Sequence, residues 1–280
     1  MLRDLRVFAV NLLSLPLFAV KPLSLSPLPL YYELTGDGPP LLFLHGLGSS
    51  SADWGLQVPA FAARYRVVTA DLRGHGRSQD GGAAYTIAQM ADDVAALLTR
   101  LNLPPAHVVG LSLGGCAAQM LALRQPERVR SLVLVNSFAR LRPAGPRGAW
   151  RLARRLWLFA TAPMPVVGAF VAAGLFPKPE QHAIYAEAAA RLGRNQKRPY
   201  LASMRAVAGF DVRHQLGRLR CPTLIISGDR DNTVPPAASA ALRRAIPGAQ
   251  FALIQDSGHA TPIDQPEEFN RVVMEFIGSR

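Results

Sequence analysis

The chain has 280 residues, 49% of them hydrophobic, and a mean hydropathy of +0.13. This length and composition are typical of a globular protein with a large core, and they exclude an integral membrane protein. The formal net charge of +12 is confined to residues 139–220, which hold 15 Lys and Arg against three Asp and Glu, whereas the remainder is balanced. We expect no nucleic-acid binding, because no recognition motif accompanies this charge.

Residues 1–28 are interpreted as an extension that packs on the core and leads into the first strand. The segment has a basic start and an apolar stretch, so a signal peptide or a membrane-associating segment is the alternative. Asn11 and Pro16 interrupt the apolar stretch, Asp4 lowers the charge of the basic region, and no Ala-x-Ala cleavage site follows. We therefore expect a cytoplasmic protein, membrane-associated in the alternative case, rather than a secreted one.

Short apolar runs then alternate with helical patterns, which predicts a mostly parallel twisted sheet with helices on both faces, an α/β fold. Strands are predicted at 41–46, 66–71, 106–112, 131–137, 222–229 and 250–259, with an early antiparallel strand within 29–38. Helices are predicted at 53–63, 86–100, 113–124, 236–246 and 265–278. Cys116 falls in a predicted core helix and Cys221 just before a strand, so both are interpreted as buried thiols without disulfide or metal spacing.

The alternation stops between 138 and 220, where Arg-rich helical patterns replace the strand runs. This segment is predicted to be an inserted basic helical cap. The core then comprises residues 29–137 and 221–280.

The sequence GLSLGG places Ser112 between a predicted strand and a predicted helix. A serine at so sharp a turn has an exposed hydroxyl, and small residues two positions away on either side let strand and helix pass each other. In this context the G-x-S-x-G pattern indicates a nucleophile. The backbone N–H of Leu113 and that of Leu47, in the HGLGSS loop, are predicted to form the oxyanion hole.

A serine nucleophile needs a base, and His259, after the last predicted strand, is the best candidate. His45 and His75 lie in loops near the predicted site and are kept as alternatives. His107 is interpreted as structural, and His182 and His214 as surface residues. Asp231 is predicted to orient His259, with Asp229 as the alternative, which gives the chain order nucleophile, acid, base.

The motifs LLFLHGLGSS, DLRGHGRS, GLSLGG, GDRDNTVP and SGHATPIDQPEEF resemble the successive landmarks of the α/β-hydrolase superfamily, in its esterase, lactonase and carbon–carbon-bond hydrolase branch. The match covers about 40–137 and 220–280. The resemblance implies structural roles for Asp71 and His75. Haloalkane dehalogenases and epoxide hydrolases carry an aspartate at the nucleophile position, so Ser112 argues against these two activities. The chain departs from the family at its N-terminal edge, where KPLSLSPLPLYYEL replaces the usual asparagine–glycine turn, and in the insertion.

In enzymes that this chain resembles, such an insertion forms a lid over the pocket. On a helical wheel of 147–160, the arginines gather on one face, and apolar residues cover the other with Leu158 as the exception. The arginines are Arg147, Arg151, Arg154 and Arg155; the apolar residues are Trp150, Leu152, Ala153, Leu156, Trp157, Phe159 and Ala160.

Three interpretations of this helix stay open. In the preferred one, the apolar face packs on the lid or lines the pocket, with Trp150 and Trp157 near the substrate and the arginines solvated. In the second, the basic face binds an anionic membrane or an acyl-carrier protein. In the third, an arginine such as Arg151 turns inward to a substrate carboxylate.

The sequence as a whole predicts a serine hydrolase that acts on carboxylic esters of a hydrophobic acyl substrate through an acyl-enzyme. Carbon–carbon-bond cleavage of a diketone, lactone opening and acyl transfer would use the same residues and remain alternatives. A non-catalytic or membrane-docking binding protein on this fold is the alternative of another class. We expect neither a metal nor an organic cofactor.

Overall fold

The computed structural model describes residues 27–82, 84–141 and 145–280, without the side chain of Arg151. Seven strands form one sheet in the order β1-β3-β2-β4-β5-β6-β7. The strands are β1 (Tyr32–Thr35), β2 (Pro40–Leu44), β3 (Arg66–Ala70), β4 (Ala106–Leu111), β5 (Val129–Val135), β6 (Thr223–Gly228) and β7 (Gln250–Ile254). β1 pairs antiparallel with β3, and every other pairing is parallel. Each predicted strand is therefore present. Most of the predicted extension, residues 1–26, lies outside the described residues.

The helices are α1 (Val58–Ala62), α2 (Ile87–Arg100), α3 (Leu113–Arg124), α4 (Gly145–Thr161), α5 (Met164–Leu175), α6 (His182–Gly193), α7 (Lys197–Ala208), α8 (Pro236–Ala245), α9 (Thr261–Asp264) and α10 (Pro266–Gly278). None of those described is long and apolar enough to cross a membrane.

The sheet is buried on both faces because its central strands are mostly apolar, and β2 is apolar at every position. Leu42 and Leu44 of β2 join the cluster under α2, α3 and α8, whereas Leu41 and Phe43 join the cluster under α1 and α10. Successive side chains of a strand point to opposite faces, so a continuous apolar run supplies both cores. Cys116 is buried in the first cluster as expected, but Cys221 is only half-buried.

The helix predicted over 53–63 is wrong as a single element. The chain instead forms a short 3₁₀ helix, Ser51–Trp54, followed by α1. Gly55 disfavours continuation, and Pro59 is tolerated only because it occupies the first turn of α1.

The basic segment forms α4 to α7, between β5 and β6. Its two ends lie side by side, since Arg140 and Asp211 form an antiparallel bridge and the Val212 N–H donates to the Ala139 carbonyl at 3.0 Å. The chain thus leaves the sheet and returns to it at one place, so the four helices can cover the carboxyl ends of the strands without disturbing the strand order.

Candidate active site

Ser112 lies at a sharp turn between β4 and α3, with a φ of +53°. Its N–H donates to the Val135 carbonyl at 2.9 Å, which fixes the turn against β5. A Cβ on Gly110 would lie 2.5 Å from the carbonyl carbon of Gly114, and a Cβ on Gly114 would lie 2.2 Å from the Leu44 oxygen. Only glycine fits at both positions, which is the physical reason for the G-x-S-x-G pattern. The left-handed backbone of Ser112 is strained for a non-glycine residue, a feature that gathers at functional sites.

Asp231 and His259 form a buried pair at the carboxyl ends of β6 and β7. The His259 Nδ1 lies 2.7 Å from the Asp231 Oδ2, and the other carboxylate oxygen accepts from the N–H groups of Thr233 and Val234 at 2.8 and 2.9 Å. The carboxylate therefore accepts from the histidine and from its own loop at once. With Nδ1 bearing the proton, Nε2 has a free lone pair.

Asp229, the alternative acid, has another partner. Its Oδ1 accepts from the Ser257 N–H at 3.0 Å, which ties the loop after β6 to the loop that carries His259. The structure thus pairs Asp231 with the histidine and gives Asp229 a loop-closing hydrogen bond.

Asn136, directly after β5, holds both loops and was missed from the sequence. Its side-chain amide donates to the His259 carbonyl and the Thr261 hydroxyl, each at 2.7 Å, and its Oδ1 accepts from the Gly228 N–H at 2.9 Å. The residue is fully buried and has a φ of +44°. The signal in the sequence is a polar residue at the end of an apolar strand, which alone does not say what it binds.

The loop after β2 runs beside Ser112. A Cβ on Gly46 would lie 3.8 Å from the Ser112 Cβ. Leu47 is the next residue in the chain after this close approach. Leu113 opens α3, where N–H groups of the first turn have no intrahelical partner. Both residues line the cleft that contains Ser112.

His45 and His75 are buried together rather than turned toward the cleft, with ring centroids 5.1 Å apart. His45 Nε2 accepts from the Leu72 N–H at 3.0 Å, and Nδ1 lies 2.7 Å from the Gly46 carbonyl. Burial lowers the pKa of both imidazoles, that of His75 to about 3. Neither residue lines the cleft, so the structure gives them packing roles in the loops that shape it.

His107 is also structural, with Nδ1 2.7 Å from the Ser131 hydroxyl. Burial, with a smaller contribution from Arg130, lowers its pKa to about 4. Both His182 and His214 are exposed, as predicted.

Ser112, Asp231 and His259 share one cleft of about 3130 Å³ between the sheet and the cap. This volume exceeds that of a typical small-molecule pocket, roughly 300–1,000 Å³, so a substrate would occupy only part of it. Apolar side chains dominate the part contributed by the cap, including Phe170, Phe176, Ile184, Leu192, Leu201 and Met204.

A family model described as the alpha/beta hydrolase fold matches residues 39–266. The chain belongs to the α/β-hydrolase family. It is an enzyme of the hydrolase class, as its curated relatives are. A protein of Azorhizobium caulinodans assigned as the carbamate hydrolase RutD is 34% identical over 89% of this chain and 95% of its own length. The 3-oxoadipate enol-lactonase 2 of Acinetobacter baylyi is 32% identical over 85% of this chain and 88% of its own.

Two solved α/β-hydrolase structures extend the comparison. The enol-lactonase of Burkholderia xenovorans LB400 is 28% identical, with a TM-score of 0.82 over 89% of this chain and 96% of that one. A thermophilic esterase of Thermogutta terrifontis is 29% identical, with a TM-score of 0.77 over 89% and 93%. In the described part of this α/β-hydrolase, no three His, Cys, Asp or Glu residues are grouped as a metal site would require.

In the cap of this α/β-hydrolase, the apolar face of α4 contributes Trp150, Leu152 and Leu156 to the cleft lining, in line with the preferred interpretation, whereas Trp157 and Arg155 depart from it. Trp150 lines the cleft but is 60% exposed, whereas Trp157 is 62% exposed and lies outside the lining. The arginines are not all solvated either, because Arg155 is half-buried and donates to the Tyr200 hydroxyl. Arg151, the third predicted pocket residue, has a side chain outside the described part of the structure. The helical wheel predicts that α4 has an apolar and a basic face. What each face contacts is determined by the other helices of the cap.

Hydrogen bonds and ion pairs tie the cap to the loops around Ser112. The Asn195 side chain donates to the Gly48 carbonyl at 2.7 Å, and Arg191 pairs with Asp53 at 2.8 Å. The Tyr200 ring packs so close to Gly48 that a Cβ there would lie 2.7 Å from it. Because these contacts are made to the loop that carries Leu47, the cap positions this loop as well as covering the cleft.

Proposed function

We propose that this α/β-hydrolase cleaves carboxylic esters of a hydrophobic acyl substrate through an acyl-enzyme on Ser112. The observation that carries the proposal is the 2.7 Å hydrogen bond between Asp231 and His259 in the same cleft as the strained Ser112. A serine hydroxyl becomes an effective nucleophile only beside a base that a third group orients, and the shared cleft of Ser112 with the Asp231–His259 pair supports assigning these roles to them.

In the first half of the reaction, the Ser112 hydroxyl oxygen attacks the ester carbonyl carbon, and His259 Nε2 takes the hydroxyl proton. The N–H groups of Leu47 and Leu113 donate to the oxyanion that forms. The carbon–oxygen bond to the alcohol then breaks, and the imidazolium returns its proton to the leaving alkoxide. Asp231 stabilises the imidazolium throughout and keeps its own charge.

In the second half, His259 takes a proton from water, and the hydroxide attacks the acyl-enzyme carbonyl. The same two N–H groups receive the second oxyanion. The bond to the Ser112 oxygen breaks, the serine regains its proton from the imidazolium, and a carboxylic acid leaves. No further reactant is needed.

The choice of a hydrophobic acyl substrate is supported by the apolar wall from α5 to α7. Burying apolar surface contributes about 25 cal/mol per Å², so each methylene that reaches this wall strengthens binding. We expect kcat/KM to rise with acyl chain length until the wall is covered.

Lactone opening is the second candidate, because one curated relative and one solved structure are enol-lactonases. A lactone is a cyclic ester, so the same steps apply, with the leaving alkoxide kept on the acyl group. A carbamate, the substrate class in the name of another relative, also carries a carbonyl that Ser112 could attack.

The test is labelling by a fluorophosphonate, followed by a substrate panel. Wild-type protein should be labelled, Ser112→Ala should not, and Ser50→Ala should be labelled fully, because Ser50 lines the same cleft without a capping hydrogen bond. An unlabelled wild type contradicts the proposal.

The panel compares esters of increasing acyl length, lactones, a carbamate and a diketone, with and without an added alcohol. Turnover that favours lactones selects the second candidate. Cleavage of the diketone alone, or transfer to the alcohol in place of hydrolysis, contradicts ester hydrolysis.

A further inference from the structure

One solvent-exposed side of α4, which also borders the cleft, carries a group of apolar side chains. Trp150 is 60% exposed, Leu152 42%, Leu156 46% and Trp157 62%, and we call these four residues the outer face of α4. The other large apolar side chains exposed in the described part of the chain are Leu34, Leu56, Leu141, Val166 and Leu253. Isolated exposed apolar residues are ordinary, but four on one helix form a patch that marks an interaction surface.

The orientation of α4 is fixed by its opposite side. Phe159 is buried and stacks on the Tyr200 ring at 5.9 Å, with the ring planes 17° apart. Arg155 lies one turn earlier, half-buried, and donates to the hydroxyl of the same tyrosine. Turning the outer face inward would break this contact. The packing of the cap therefore favours the orientation of α4 in which both tryptophans are exposed.

The charge beside the outer face is positive. Arg147 and Arg154 are exposed on α4, and Arg154 lies over the Trp150 ring and the Phe170 ring, at 5.4 and 4.9 Å from their centroids. Neither α4 nor α5 contains an acidic residue, and 139–220 holds the whole net charge of +12. The surface thus combines tryptophan and leucine with arginine, which is the combination that favours an anionic lipid interface.

We propose that the outer face of α4 binds the surface of an anionic lipid bilayer. Tryptophan and leucine side chains would enter the region between headgroups and acyl chains, while Arg147 and Arg154 pair with lipid phosphates. A second copy of the chain fits less well, because a symmetric contact would bring two caps of like charge together. The helix lies on the bilayer and does not cross it.

This binding would place the cleft beside the membrane. Trp150, Leu152 and Leu156 belong to the cleft lining as well as to the outer face. An apolar substrate dissolved in the bilayer could then reach the cleft without crossing water. The binding itself does not depend on hydrolysis, so Ser112→Ala should bind vesicles as the wild type does.

The first experiment is sedimentation of the full chain with vesicles of phosphatidylcholine, alone or mixed with phosphatidylglycerol, at low and high salt. We expect binding to the mixed vesicles, at least about tenfold weaker binding to phosphatidylcholine alone, and release by salt. Trp157→Ala and Arg147→Glu should each weaken binding to the mixed vesicles about tenfold.

The control variants carry the same kinds of substitution, an apolar residue to Ala and an Arg to Glu, at positions outside α4. Leu34→Ala removes an apolar side chain that is 44% exposed on β1, and Arg218→Glu reverses an exposed charge in the segment before β6. Both should bind as the wild type does. The proposal is overturned if the wild type does not bind the mixed vesicles. It is also overturned if the α4 variants and the control variants lose equal affinity, or if both α4 variants bind as the wild type does.

A second measurement reads insertion directly. The chain has three tryptophans, and Trp54 is only 1% exposed, so brominated lipids should quench mainly Trp150 and Trp157. We expect strong quenching in the wild type and about half of it in Trp157→Phe. Bound protein without quenching overturns the proposal, and so does a dimer on size exclusion in which both exposed tryptophans become protected from soluble quencher.

Discussion

The His259 Nδ1 and the Asp231 Oδ2 are 2.7 Å apart, in a pair whose carboxylate side chain has no exposed surface. The other carboxylate oxygen accepts two backbone N–H groups, so the acid cannot rotate without losing both bonds. The imidazole is consequently held with its Nδ1 proton on the carboxylate side. In such an arrangement, loss of the carboxylate charge affects the chemical step much more than the fold.

Asp231→Asn should lower kcat for ester hydrolysis by about 10⁴, because an amide there favours the wrong tautomer of the base. Asp229→Asn keeps an oxygen for the Ser257 N–H and should lower kcat by less than about tenfold. Steady-state kinetics of both variants against the wild type measures the difference. The reverse order of effects would move the orienting role to Asp229.

Asn136→Ala should lower both activity and stability. Its buried amide bonds two loops, and its loss leaves the Gly228 N–H without this acceptor, which we expect to cost about 2–4 kcal/mol of unfolding free energy. Because the loop of His259 loosens, kcat should fall more than KM rises. Denaturant unfolding and kinetics give both quantities.

Asn102→Ala is the matched control for this variant. Asn102 also has a positive φ, of 48°, but it is exposed. It shares the backbone strain without the buried hydrogen bonds. Similar losses in the two variants would assign the effect of Asn136 to the backbone alone.

Gly114→Ala should strongly destabilise the protein, because its Cβ would lie 2.2 Å from the Leu44 carbonyl oxygen of the adjacent strand. We expect a loss of about 3 kcal/mol or more in unfolding free energy, together with loss of labelling at Ser112. Gly174→Ala, in α5 with open space around its Cβ, should be neutral or stabilising by up to about 1 kcal/mol. Thermal melts of both variants compare the two, and equal Tm values would contradict the packing argument.

Stability should decrease on acidification because His75 is buried in its neutral form. Its folded pKa of about 3 lies below the ordinary value of 6.5, so the unfolded chain binds the proton more readily between these values. The contribution of His75 is present above pH 6.5 and is lost by roughly 1.4 kcal/mol per pH unit as the pH falls toward 3. His75→Gln should reduce the pH dependence of the unfolding free energy over this window without removing it, because burial also lowers the pKa of His45 and His107. His182→Gln, at an exposed position on α6, is the control for the substitution itself.

The sheet and the placement of Ser112, Asp231 and His259 in one cleft could be predicted because both follow from local patterns. Apolar runs define the strands, and parallel strands bring their carboxyl ends to one edge. The role of Asn136 could not be predicted, since its partners are contributed by residues about 90 and 120 positions later and depend on the order of strands. The environment of α4 escaped prediction for a related reason. A wheel separates an apolar from a basic face, but only Tyr200 decides which face is turned inward.

Asp264 joins two parts of the molecule that are far apart in the chain. One of its oxygens accepts from the Gly258 N–H at 2.7 Å, next to His259, and the other accepts from the Gln181 side chain at 2.5 Å, just before α6. One carboxylate therefore connects the segment just before α6 to the loop that carries His259, the proposed base. A movement of α6 large enough to admit a bulky substrate must lengthen or break one of these two hydrogen bonds. Substrate entry and the orientation of the His259 imidazole are therefore coupled.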